Sequence, residues 1–220
     1  MRLYLASTSP ARLATLRAAG IEPVVVPSGV DEEAVVRDAE GQSGPLGAAD
    51  MVLLLAQAKA EAALAQLVTG GGHCDGLVLG GDSAFLLDGV IHGKPHTAER
   101  ATQRWQDQRG RTGELFSGHW LIDARSHEQP RALGATTVAR VTFADDITDS
   151  EIAAYVATGE PLHVAGAFTI DARGAAFIQR VEGDPSTVIG VSIPTVRQLA
   201  GRLGISWPEL WSTAESNSLD

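Results

Sequence analysis

The chain has 220 residues, enough for one large domain or two small fused ones. An apolar share of 44% against 20% charged residues supports a packed core and excludes wholesale disorder. A net charge of −10, from 27 acidic and 17 basic side chains, has the wrong sign for a protein that lives on nucleic-acid backbone contacts, which leaves small anionic ligands held by a few placed cations.

Cys74 is the only cysteine, so an internal disulfide and a thiolate metal site are both excluded. The longest apolar run, Met51 to Ala56, is too short for a bilayer, and the start of the chain meets Pro10 too early for a secretory signal. The expected compartment is the cytoplasm, with neither a membrane nor a stable nucleic-acid partner.

Leu3 to Ala6 is a short apolar run suited to a buried strand, followed by Ser7-Thr8-Ser9-Pro10. Hydroxyls at N-cap positions and proline in the first turn predict a helix over Ala11 to Ala19, closed by Gly20. Val24 to Val26 is the next strand. Ser28 to Gly47, rich in Gly, Asp, Glu and Pro, reads as a loop with at most one helical turn. Ala48 to Leu67 is a long Ala/Leu helix carrying Lys59, stopped by Gly70-Gly71-Gly72. A buried strand at Leu77 to Leu79 ends in Gly80-Gly81-Asp82-Ser83, and a hairpin turns at Asp88-Gly89. Thr97 to Gln108 is a helix; Glu114 to Asp123 and Thr136 to Ala144 are strands. Thr148-Asp149-Ser150-Glu151 is a capping box whose helix stops at Gly159. Strands near Phe168 and Phe177 and a helix over Pro194 to Leu203 complete an α/β fold with a mixed, twisted sheet flanked by helices.

Few residues stand out chemically. Ser9 and Arg12 sit at a helix start, where unpaired N–H groups and partial positive charge favour phosphate, although serine caps are also ordinary. Asp82 follows a buried strand and two glycines, a position suited to metal binding or proton abstraction, or to a simple turn. Lys59 and Lys94 are candidate phosphate cations or plain surface lysines. Asp31, Glu32 and Glu33 form an acidic run that is either solvated or metal-ligating. No phosphate-binding P-loop, nucleophile elbow or dinucleotide fingerprint is present.

In order along the chain, Leu5-Ala6-Ser7-Thr8-Ser9-Pro10-Ala11-Arg12-Leu13, Asp31-Glu32, Leu55 to Ala60, Gly80-Gly81-Asp82-Ser83 and Gly93-Lys94-Pro95 resemble the signature of the Maf family of nucleotide pyrophosphatases. So do Thr112-Gly113 to Ser117-Gly118-His119, Gly159-Glu160-Pro161-Leu162, Ala165 to Phe168, Ile178 to Ser186 and Val188-Ile189-Gly190. The texture is most similar to the actinobacterial branch. The resemblance implies a single elongated Maf/ITPase-like domain over 1–205, two lobes around a central cleft, with 206–220 as a C-terminal tail. It implies hydrolysis of a nucleoside triphosphate to monophosphate and pyrophosphate with Mg²⁺ or Mn²⁺ in a homodimer, and links to modified nucleotides and division arrest. The family's catalytic aspartate falls on Asp82, its phosphate-binding positions on Ser9, Arg12, Lys59 and Lys94, and its metal carboxylates on Glu32 and Asp82. Ala11 stands where many members have arginine, Ser83 where they have threonine and Asp171 where they have glutamine, so base specificity is expected to turn on these three. His163-Val164 replaces a common Asp-Lys pair. All of this requires Asp82 to lie within reach of Arg12, Lys59 and Lys94.

Overall fold

A computed structural model describes residues 1–69, 74–126 and 130–212. Seven strands form one mixed sheet: β1 (Leu3–Ala6), β2 (Val24–Val25), β3 (Leu77–Leu87), β4 (Val90–His92), β5 (Thr112–Asp123), β6 (Arg131–Phe143) and β7 (Ile178–Glu182). The strand order is β2-β1-β3-β5-β6-β7, with β4 also on β3. Among the described residues seven α-helices flank it: α1 (Pro10–Ala18), α2 (Glu32–Ser43), α3 (Ala48–Thr69), α4 (Ala98–Gln108), α5 (Asp149–Ala157), α6 (Pro185–Ile189) and α7 (Ile193–Arg202). The helical crossovers α1 and α3 let β1 run parallel to β2 and β3, whereas β3, β5, β6 and β7 pair antiparallel in that order.

β3 is the spine, and its pairing is interrupted in one informative place. One side pairs with β5 from Leu77 to Leu86. The other side pairs with β1 at Leu77 to Gly80 and with β4 at Phe85 to Leu87, so Gly81, Asp82, Ser83 and Ala84 face a gap between two strands. Sequence reading ended this strand before Asp82; the strand in fact runs through it. Glycines at 80 and 81 do not break it because continuous pairing to β5 holds the backbone extended. Their lack of a side chain serves packing instead. A Cβ on Gly80 would lie 2.0 Å from the Ala56 carbonyl oxygen, and one on Gly118 of β5 would lie 2.2 Å from that of Val52. Helix α3 is therefore seated directly on the sheet backbone. By length and apolarity α3 would also suit a bilayer, but here Val52, Leu55, Ala56, Ala60 and Ala63 are buried against the protein.

The core splits on either side of this gap. Aliphatic residues from β1, β3, α1 and α7 fill one face of the first lobe, including Leu3, Leu5, Leu16, Leu79, Val196 and Leu199. The other face packs against α3 through Tyr4, Ala60, Ala63 and Val78. The second lobe is aromatic: four of the five phenylalanines join Trp105 and Tyr155 around α4 and α5. Edge-on pairs such as Trp105–Phe143 at 5.5 Å and Phe85–Phe168 at 5.1 Å fix their geometry.

Most expected elements are present within a few residues, including the Asp88-Gly89 hairpin and the Thr148–Glu151 capping box. Three differ. The expected loop at Ser28 to Gly47 contains the twelve-residue helix α2, which buries nothing and so shows no apolar stripe; Asp31 caps it by accepting from Ala34 N at 3.0 Å. No strand forms at Phe168, which is buried after a short 3₁₀ turn (Ala165–Ala167), and the strand expected near Phe177 begins at Ile178. Beyond Leu203, a 3₁₀ turn at Trp207–Leu210 buries Leu210 in the first lobe. The Gly70-Gly71-Gly72 stop lies outside the described residues.

Candidate active site in the gap of the sheet

Asp82 occupies the gap with 8% of its surface exposed. Its Oδ1 accepts from Lys59 Nζ at 2.6 Å, and the same ammonium lies 2.8 Å from Glu32 Oε1. Three segments separated by 23 or more residues thus meet at one nitrogen. The seating of α3 on Gly80 and Gly118 delivers Lys59, and the Asp31 cap fixes Glu32 in the first turn of α2. Burial raises the Asp82 carboxyl above the ordinary aspartate range, against the pull of Lys59 and Arg12. For the half-exposed Glu32, burial acts in the same sense, but Lys59 overcomes it, and with Lys94 and Arg12 further off holds the carboxyl below its usual range.

Arg12 enters the gap from α1. Its Nε donates to the Gly190 carbonyl at 2.7 Å, one terminal nitrogen to Ser7 Oγ at 3.1 Å and the other to Ser83 Oγ at 2.9 Å. Ser83 hydrogen-bonds Ser117 at 2.9 Å, and Ser117 donates to the Thr187 carbonyl at 2.8 Å. The donor order is consistent from end to end: guanidinium, Ser83, Ser117, carbonyl. Three of the five guanidinium N–H groups are used internally, which holds Arg12 in place and leaves two for a ligand. Ser9 caps α1 by accepting from Arg12 N at 3.4 Å, and Ala11 is half-buried in the same first turn.

Lys94 is exposed and has no ion-pair partner among the described residues; its charge is felt at Glu32 rather than in contact with Asp82. The second lobe fixes its loop, since Arg104 of α4 donates to the Gly93 carbonyl and His96 N donates to the Leu162 carbonyl at 3.0 Å. Asp171 is exposed in a bend and makes no bond to the Asp82 group. Its segment is tied down by Glu160, whose Oε1 accepts from Tyr155 Oη, Thr169 Oγ1 and Gly174 N at 2.9, 2.7 and 2.9 Å. The structure therefore joins Arg12, Glu32, Lys59, Asp82 and Ser83 in one cluster and sets Lys94 at its rim.

Sequence reasoning missed the support behind this cluster. Ser117 and His119 are fully buried on β5, two residues apart and hence on one face. His119 Nε2 accepts from Ser192 N at 2.8 Å, tying the start of α7 to the sheet beside Gly81, its partner in register. Asp184 caps α6 and binds Ser186 Oγ at 2.6 Å. Polar residues inside an otherwise apolar strand were the available signal.

Residues 2–203 match the family of Maf-like proteins. The chain belongs to that family. Its Maf-like relatives include a protein of Leifsonia xyli subsp. xyli, 64% identical over 97% of this chain and 98% of its own length. Others are from Corynebacterium diphtheriae, 46% identical over 96% of this chain and 99% of its own, and Streptomyces coelicolor, 49% identical over 97% and 96%. All three are named nucleoside triphosphate pyrophosphatase. The Maf-like match spans both lobes, so the gap in β3 and every residue placed around it lie within the shared region.

Proposed function

We propose that this Maf-like protein is a nucleoside triphosphate pyrophosphatase. It hydrolyses the bond between the α and β phosphates with Mg²⁺ or Mn²⁺ and releases nucleoside monophosphate and pyrophosphate. The observation that carries the reading is the contact of Asp82, Lys59 and Glu32 in the gap between β1 and β4, with Arg12 alongside.

Asp82 is a buried carboxylate whose raised pKa makes it a stronger base than a solvated aspartate. It orients a water and takes its proton as the oxygen attacks the α phosphorus; the bond to the bridging oxygen breaks and pyrophosphate leaves with the electron pair. Arg12, with its remaining N–H groups and the first turn of α1, receives phosphate oxygens, and Lys94 closes on the chain of phosphates from the rim. A protein of net charge −10 binds a polyanion only through such local cations.

The donor set suits a hard divalent cation. Glu32 and Asp82 place two carboxylates on one positive centre, the Lys59 ammonium, and no group of three or more His, Cys, Asp or Glu is assembled among the described residues. That matches Mg²⁺ or Mn²⁺, which is content with one or two carboxylates when phosphate oxygens and waters complete the shell. When bound, the cation supplies charge neutralisation on the phosphates and orientation of the reacting groups.

A cytoplasmic homodimer that clears modified nucleotides, with a link to division arrest, completes the reading. Base preference rests on Ala11, Ser83 and Asp171, and the inward bonding of Ser83 supports a role for it through Arg12. Pyrophosphate release from a panel of canonical and modified triphosphates, with Mg²⁺ and with Mn²⁺, tests the proposal. Release that vanishes in Asp82→Asn supports it, and no release from any triphosphate refutes it in favour of a protein that binds without turnover.

A further inference from the structure

We infer that the Lys59 ammonium is the resident counter-ion of the Glu32–Asp82 pair and must give way before the pair can take a divalent cation, so that the cation enters together with the triphosphate and not ahead of it. The inference rests on the pyrophosphatase reading above and adds an order of binding to it.

Three observations lead there. Lys59 Nζ is 2.6 Å from Asp82 Oδ1 and 2.8 Å from Glu32 Oε1, occupying the space between the two carboxylates that a shared cation needs. A divalent ion and an ammonium cannot share that gap, because like charges at contact distance in a half-buried site repel strongly. Second, the described residues bring no third acidic or imidazole ligand to the site. Two carboxylates already neutralised by half through Lys59 make a weak site for Mg²⁺ alone, which binds through a few carboxylates plus substrate phosphates. Third, the anchoring of the partners is unequal. The α3 backbone is fixed on the sheet at Gly80 and Gly118, so Lys59 moves only by rotating its side chain. Helix α2 has no fully buried residue, so Glu32 is the less deeply anchored of the two carboxylates.

Displacing Lys59 into empty solvent would leave a buried lysine stem without its charge partner, an unfavourable exchange. An arriving triphosphate changes that. Its oxygens offer the ammonium a new anion within side-chain reach and bring the remaining ligands of the metal shell. Lys59 then passes from the carboxylates to the phosphates as the cation takes its place, so that the carboxylates and the phosphates each keep a cation in contact.

The test uses Mn²⁺ alone as probe, titrated into the full chain and followed by the electron paramagnetic resonance signal of free Mn²⁺. Lys59→Met keeps the length of the side chain and removes its charge; it is expected to bind one Mn²⁺ per chain at least tenfold more tightly than the wild type. Adding Glu32→Gln to it should return the affinity to the wild-type level or below, which separates this pocket from diffuse binding to an acidic surface. A triphosphate with a methylene bridge between α and β should raise the wild-type affinity for Mn²⁺ at least tenfold, and that of Lys59→Met by less. Lys59→Gln replaces the methionine variant if circular dichroism shows the latter unfolded, with the same outcomes.

A Lys59 variant that binds Mn²⁺ no more tightly than the wild type overturns the inference. So does a wild type whose affinity for Mn²⁺ is the same with and without the analogue. Pyrophosphate release by the wild type is read separately. Release alongside equal Mn²⁺ affinities removes the counter-ion role and leaves the function standing. No release from any triphosphate removes the function, while the Mn²⁺ comparison still decides the role of Lys59.

Discussion

Acid should weaken this fold through His119 in a way that can be separated from its carboxylates. The imidazole is fully buried, and burial first, then the nearby Arg12 charge, lower its pKa from 6.5 to about 4. The folded protein thus holds His119 neutral, accepting from Ser192 N, whereas the unfolded chain takes up a proton below pH 6.5. Stability is therefore complete above about pH 6.5, declines as pH falls toward 4 and levels off below that. At 1.36 kcal/mol per pKa unit the full loss is about 3 kcal/mol, of which about 2 kcal/mol is gone between pH 7.5 and pH 5. For a chain of this size that corresponds to a melting temperature lower by roughly 4–8 °C. Carboxylates titrate over the same range, so the measurement is a difference: thermal unfolding by circular dichroism for wild type and His119→Gln from pH 7.5 to 4.5. The glutamine variant is less stable at pH 7.5 but should lose about 2 kcal/mol less on acidification to pH 5. Parallel pH dependences for the two proteins would show that His119 is not held neutral by its surroundings, and the account of the β5–α7 contact would fail with it.

Other residues give sharper, local expectations. Asp82→Asn should lower kcat by roughly 10³-fold with the fold retained, read as pyrophosphate release alongside circular dichroism. Lys94→Ala should raise KM about tenfold and shift the melting temperature by less than about 1 °C, since the side chain is exposed and has no ion-pair partner among the described residues; early melting with unchanged KM would make it structural. Gly118→Ala places a Cβ 2.2 Å from the Val52 carbonyl and 2.7 Å from Leu53 N, so α3 must lift; a loss of about 2–3 kcal/mol in urea unfolding is expected, together with reduced activity as Lys59 withdraws from Asp82. Glu160→Gln can keep one oxygen for the Tyr155, Thr169 and Gly174 bonds but turns the Oε2 that accepts from Arg173 N into a donor, and should cost about 1–2 kcal/mol, with altered base preference wherever the Asp171 segment governs it.

The sequence was most legible where local chemistry and tertiary structure agree. Ser9 and Pro10 start α1, Thr148 and Glu151 box the start of α5, and Asp88-Gly89 turns a hairpin, because each signal needs only neighbours within four residues. It was least legible where the partner lies far away. Gly80 and Gly81 look like a turn until α3 is placed on the first and Arg12 beside the second, and α2 shows no apolar stripe because none of its residues is fully buried. For the site, residue type alone suggested Arg12 as a phosphate clamp. Its three internal bonds to Ser7, Ser83 and Gly190 were beyond sequence reasoning, since Gly190 is 178 residues away. By residue type Glu32 was one of three adjacent acids, singled out in the sequence only by the family resemblance; the Asp31 cap and the position of Lys59 give the physical reason.

The location of the site follows from a conflict in the sheet. β3 must serve as a parallel neighbour to β1 and as an antiparallel neighbour to β4 along the same edge, and two strands running toward each other cannot abut without colliding. Four residues of β3 are left without a strand partner there, and open α/β sheets bind ligands at such changes of topology. An open strand edge inside a protein is a liability unless something polar covers it. Arg12 and Lys59 reach this stretch through the side chains of Ser83 and Asp82, arriving from the helices that follow β1 and precede β3. The cations that bind the side chains of this open stretch are thus the ones the proposed chemistry requires, which ties stability and catalysis to the same gap. Removing either cation should therefore be felt in folding as well as in turnover, whereas Lys94, at the rim and outside the sheet, should be felt in turnover alone.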